Sequence, residues 1–178
     1  MLFSLSTAIL LALSTLSPAA PLTSRQSNPP SPQDIADAAN EWAADTSKVS
    51  QFLSAASSLS GSDLATQAAT ALSNELDELT HKAILDEQFN TADNPGVEQA
   101  NNVLAGPQQT FQIVVDGLTN LANNGASMTP DQVAAEVQAI NEDRCTFVLP
   151  AIDAYFLAVS DFLQNGLTLV ANRPDNCP

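Results

Sequence analysis

Apolar residues recur at helical spacing along most of this chain, and the stretch from Thr129 to Pro178 shows what that spacing demands. A stripe runs through Val133, Val137, Ile140, Phe147, Ile152, Phe156, Val159 and Phe162, and both cysteines of the sequence, Cys145 and Cys177, lie in the same segment. Residues three, four and seven apart share one face of an α-helix, so a stripe of this kind has to be buried against a partner. No run of alternating β-branched residues competes with it.

The pattern repeats upstream. Ser31-Pro32 opens a first helix with a capping serine and a proline at the first helical position, and Ile35, Ala39, Trp42, Val49, Phe52, Leu53, Ala56 and Leu59 follow before Gly61 ends it. Ser62 or Asp63 caps a second helix with the stripe Leu64, Ala68, Leu72, Leu76, Leu79 and Ala83, and Asp93-Asn94-Pro95-Gly96 breaks it. In a third segment Val97, Leu104, Phe111 and Leu118 stand seven apart across Gly106-Pro107, which predicts a kink or two short helices sharing one face. Thr129 caps a fourth helix, with Gln132 placed to complete a capping box. Pro150 falls inside that pattern, so the helix should kink or restart before a fifth stripe of Ile152, Tyr155, Phe156, Val159, Phe162 and Leu163, and an opening between helices is expected there.

The architecture that buries four to five such stripes is an all-α, up-and-down bundle, here over residues 32–178. In an oxidising compartment the two cysteines most simply form one disulfide, Cys145 to Cys177, pinning the tail to the bundle.

That compartment is indicated by the first 20 residues, which have the layout of a secretory signal peptide: an apolar run too short to span a bilayer, then Ser17-Pro18-Ala19-Ala20. Residues 21–31, rich in Pro, Ser, Asn and Gln, read as a flexible leader. No later apolar run suggests a transmembrane segment, so a secreted, extracellular product is expected. All 20 acidic and 5 basic residues lie beyond the signal segment, leaving a net charge of −15. A field of that sign repels nucleic acid and anionic lipid surfaces and favours a solvated monomer.

Catalytic and metal-binding patterns are weak. The single histidine, His81, falls off the Leu79/Ala83 stripe and is expected to face solvent. No G-x-S-x-G elbow accompanies it, so neither a nucleophile triad nor another enzyme activity is expected. Glu78-x-x-His81 has the spacing of ligands in carboxylate-bridged di-iron bundles, but such sites need the motif twice and further inward glutamates. No metal site and no cofactor is therefore expected. Adjacent pairs such as Asp77-Glu78, Asp86-Glu87 and Glu142-Asp143 read as solvated helix faces.

The segments Asp34-Ile-Ala-Asp-Ala-Ala, Val49-Ser-Gln-Phe-Leu-Ser-Ala-Ala-Ser-Ser-Leu-Ser-Gly and Ala68-Ala-Thr-Ala-Leu-Ser-Asn-Glu-Leu resemble the first two helices of a fungal family, the hydrophobic-surface-binding protein A and cell-wall galactomannoprotein group. The likeness is compositional and covers about residues 34–165. It implies a non-enzymatic helical protein that adsorbs to hydrophobic surfaces or holds a fatty-acid-like ligand between its helices, in association with the cell wall. On that reading the ligand lies against Phe111, Phe147, Tyr155 and Phe156, with Arg144 or Lys82 meeting a carboxylate. The second reading is an effector-like module that binds a host or cell-wall protein through its exposed helix faces.

Overall fold

The computed structural model describes residues 29–166 and 168–178; the expected signal segment and the leader up to residue 28 lie outside them. The described residues form six α-helices and no strand: α1 (Pro32–Ala55), α2 (Gly61–Phe89), α3 (Pro95–Ala105), α4 (Thr110–Asn124), α5 (Pro130–Asp143) and α6 (Leu149–Leu163). They make four rods, because α3 and α4 share one face and α5 and α6 run on through a π-helical turn, Arg144–Val148. Short loops join antiparallel neighbours, as in an up-and-down bundle. The ring closes as α1 packs on α2, α2 on α4, α4 on α5, and α6 returns to α3 and α1.

Local chemistry sets the helix starts. Ser31 Oγ accepts from the Asp34 N–H at 3.2 Å while Asp34 Oδ2 accepts from the Ser31 N–H at 2.9 Å, a complete capping box with Pro32 at the first position. Thr129 and Gln132 repeat the device at α5, at 3.3 and 2.8 Å. At the second start the expectation needs correction: Gly61 does not close α1 but opens α2, with φ +59, and Ser60 stands at the N-cap. Between α3 and α4 the backbone turns at Gln109, φ 52, and Thr110 Oγ1 donates to the Val103 carbonyl at 2.7 Å, so two short helices replace a kink. Val97, Leu104, Phe111 and Leu118 are all buried, as their spacing of seven implies.

Pro150 does not restart the fourth rod. The helix passes it through the π turn, in which the Leu149 N–H donates to the Arg144 carbonyl one residue further back than in an α-helix. The extra residue shifts the buried series by one position. Val133, Val137, Ile140 and Arg144 are followed by Val148, Ile152, Tyr155 and Val159, and Phe147 is left pointing outward. The resulting 34-residue rod, Pro130–Leu163, is long and apolar enough by length and composition to cross a membrane, with a mean hydropathy of 1.5 over its most apolar window. In this fold it is one of the four rods of the bundle, packed on α4 through α5 and on α3 and α1 through α6.

Trp42 from α1 meets Tyr155 and Phe156 from α6, with ring centroids 5.3 and 5.8 Å apart. Each such ring contributes about 1.5–3 kcal/mol by burial, before the edge-on ring contacts are counted. Gly117 lets α4 lie close to α5, since a Cβ there would stand 2.5 Å from Ile140 Cγ1. The Cys145–Cys177 disulfide ties the tail across the bundle.

Candidate functional site

The residues expected to line one ligand site are separated by the fold. Tyr155 and Phe156 are core residues against Trp42. Arg144 is fully buried among α1 and α2, and Lys82 is held by Asp86 and Asn101. Phe111 lines a depression of about 290 Å³ with Leu79, Lys82, Leu104 and Gln109. Phe147 lines a different one. Arg144, Tyr155 and Phe156 thus serve the packing of the bundle, because the π turn points positions 144 and 155 inward and 147 outward.

Phe147 belongs to an apolar groove between α3 and α6. One section, about 340 Å³, is bounded by Gly96, Ala100, Val103, Phe147, Pro150, Ala151 and Ala154. A second, about 420 Å³, shares Gly96 and Ala154 and continues past Phe89, Leu157, Ala158, Asp161 and Phe162. Small residues, Gly96, Ala100, Ala151, Ala154 and Ala158, make up much of the lining, so their side chains leave space between α3 and α6. Phe147, Leu157 and Phe162 stand along the rim at 45, 62 and 43% exposure. Gln99 and Thr146 in the first section and Gln88 and Asn94 in the second are polar, and among the described residues Asp161 is the one ionisable group bounding either.

Where Arg144 of the π turn meets α1 and α2, the fold contains a polar seam that sequence reasoning missed. Glu75, Glu78 and Arg144 are each 0% exposed. Arg144 Nε lies 3.5 Å from Glu75 Oε2 and Nη2 3.5 Å from Glu78 Oε1. Arg144 Nη1 donates to Ser50 Oγ at 2.7 Å and Nη2 to the Thr46 carbonyl at 3.3 Å, and Trp42 Nε1–H donates to Glu78 Oε2 at 2.8 Å. One guanidinium balances one buried carboxylate, so the second is most cheaply kept neutral. Accordingly, burial pushes Glu78 well above the carboxylate range, and the nearby Glu75 pushes it further; Arg144 and the Trp42 hydrogen bond only partly offset this. Burial raises Glu75 as well, against the pull of Arg144.

These shifts have a pH signature. Burial also raises Asp143, to about 6. All three carboxyls hold their protons more tightly in the folded chain than in the unfolded one. Their contribution is complete below the unfolded carboxylate range, about pH 4, and is lost as pH rises through the raised folded values. Exposed Asp34, whose carboxyl the Ser31 hydroxyl and N–H hold below the ordinary range, acts oppositely and only in stronger acid. Thermal unfolding should therefore give a higher midpoint at about pH 5 than at about pH 8, with a flatter profile in Glu78→Gln. A midpoint that climbs with pH across this interval would contradict the buried-carboxylate assignment.

His81 is also misplaced by sequence reasoning. It is buried rather than solvent-facing, and packs toward α1 between Glu41 and Asp45. No known protein-family model matches this chain, and neither a curated protein nor a solved structure matches it.

Proposed function

We propose that this chain is a secreted, non-enzymatic bundle whose α3–α6 groove binds uncharged apolar chains or hydrophobic surfaces. The observation that carries the reading is the groove itself: two mainly apolar sections that meet at Gly96 and Ala154, with half-exposed Phe147, Leu157 and Phe162 among the residues that bound them. Exposed large apolar side chains gathered along one concavity mark binding surfaces rather than ordinary exterior. The disulfide supports an oxidising, extracellular setting.

Charge narrows the ligand class. Among the described residues no cation bounds the groove, Asp161 bounds its second section, and the chain carries a net charge of −15. An anionic head group is therefore disfavoured there, and neutral lipids or hydrocarbon surfaces fit better than ionised fatty acids.

The test is saturable binding of a fluorescent uncharged hydrocarbon probe, together with adsorption to alkyl-coated beads. Ala154→Trp, which fills the junction of the two groove sections, should weaken both by about tenfold or more while leaving the helical circular dichroism intact. Unchanged probe binding in Ala154→Trp, or none in the wild type, would overturn the reading. A host or cell-wall protein as the true occupant would leave the probe unbound and form a defined complex that Ala154→Trp blocks.

A further inference from the structure

Beside the polar seam, four side chains from two helices converge. Glu41 and Asp45 on α1, and Asp77 and His81 on α2, are each four residues apart, so each pair lies on one face of its helix. His81 and Asp45 are buried, whereas the side chains of Glu41 and Asp77 are 66 and 60% exposed and leave the cluster open to solvent on one side. The contacts divide across the imidazole. Nδ1 faces Glu41 Oε2 at 3.4 Å, while Nε2 faces Asp45 Oδ2 at 3.3 Å and Asp77 Oδ2 at 3.9 Å. One ligand atom from each of Asp45, Asp77 and His81 lies within 4.8 Å of the others.

We propose that Asp45, Asp77 and His81 bind one divalent transition-metal ion of the Zn²⁺ class, with Glu41 orienting the imidazole. With its proton on Nε2 the ring donates to Asp45, whereas in the tautomer with its N–H on Nδ1, directed to Glu41, Nε2 turns a lone pair toward two carboxylate oxygens. Three acceptors then face one another with no hydrogen between them, and a cation placed among them resolves that conflict. Lys48 does not fill this role: its ammonium meets the other oxygen of Asp45, Oδ1, at 2.8 Å and Asn74 Oδ1 at 3.2 Å.

The geometry fits the ion class. Ligands about 2.0–2.2 Å from a metal stand about 3–3.6 Å apart along tetrahedral or octahedral edges. The His81–Asp45 separation already meets this, and a small rotation of the exposed Asp77 brings in the third ligand. A carboxylate on the second ring nitrogen is the usual outer partner of a metal-bound histidine. Imidazole among the ligands selects against Mg²⁺ and Ca²⁺, and the open side admits water to complete the coordination. Both cysteines are in the disulfide, so no thiolate competes for the ion.

The disulfide-intact protein is titrated with Zn²⁺ by calorimetry, and with Co²⁺ while its ligand-field absorption is followed, at neutral pH. Expected is one ion per chain, not displaced by excess Mg²⁺, with affinity lowered about tenfold or more in both His81→Gln and Asp77→Asn. Asp77→Asn alters a mainly exposed side chain and stays interpretable if His81→Gln folds poorly; Asp63→Asn, on the exposed first turn of α2, should bind as the wild type does. The proposal is overturned if binding does not saturate, or if Asp77→Asn and His81→Gln both retain wild-type affinity.

Discussion

Arg144→Met should destabilise the folded chain by about 3–5 kcal/mol at neutral pH, the cost of removing one partner from a buried ion cluster. Methionine restores much of the volume but none of the donors. Glu75 and Glu78 would be left facing each other with 0% exposure, and Ser50 Oγ and the Thr46 carbonyl would lose their guanidinium contacts. The loss should shrink in acid, where both glutamates can be neutral, and this separates a charge effect from a packing effect. Replacing the whole cluster, Glu75→Leu with Glu78→Met and Arg144→Met, should recover most of the stability, because apolar side chains of similar volume substitute for a buried triad at little or no net cost. Urea unfolding at two pH values reads all of this. A loss below about 1 kcal/mol for Arg144→Met would mean that the seam is hydrated and weakly coupled.

Breaking the disulfide, with Cys145→Ala and Cys177→Ala together, should cost about 3–4 kcal/mol, since the bond separates residues 32 apart and restrains the unfolded chain accordingly. The tail also has native contacts to lose. Ser50 Oγ donates to the Asn172 carbonyl at 2.6 Å, the Asp175 N–H donates to Ser54 Oγ at 3.0 Å, and Asn176 Nδ2 donates to the Leu53 carbonyl at 3.2 Å. Ser50 is the bridge: it accepts from Arg144 and donates to the tail. The Arg144 and disulfide changes should therefore be non-additive in a double-mutant cycle, with a coupling of about 0.5–3 kcal/mol. Simple additivity would show that the tail and the seam act independently.

Where the core is apolar, the sequence carries the fold. The caps at Ser31 and Thr129, the heptad from Val97 to Leu118, and the disulfide all follow from residue types whose local chemistry and burial agree. On α2 that agreement fails. The buried face includes Leu64, Ala68, Ala71, Glu75, Glu78, Lys82, Leu85 and Phe89, a regular alternation of fours and threes in which three positions hold ionisable residues. Tracking the leucines instead leads to Leu76 and Leu79, which are 46 and 44% exposed. A partner 66 residues downstream, Arg144, makes Glu78 a core residue, and no local pattern encodes that pairing. His81 is buried for a related reason, since its partners Glu41 and Asp45 lie on another helix.

The candidate groove was legible only at Pro150 and Phe147. Its lining includes Gly96, Ala100, Ala151 and Ala154, small residues that mark space only once two helices are set side by side. The aromatic residues drew attention to Tyr155 and Phe156, but the π turn commits both to the core. A one-residue register shift within a continuous helix leaves no trace in composition and only a weak one in periodicity.

The proposed binding role is tested most directly by native mass spectrometry of the protein purified from the cells that produce it, wild type beside Ala154→Trp. A groove that works as described carries uncharged lipid in near-stoichiometric amount in the wild type and loses it in Ala154→Trp. Empty wild-type protein, or the same lipid retained by both, would contradict it.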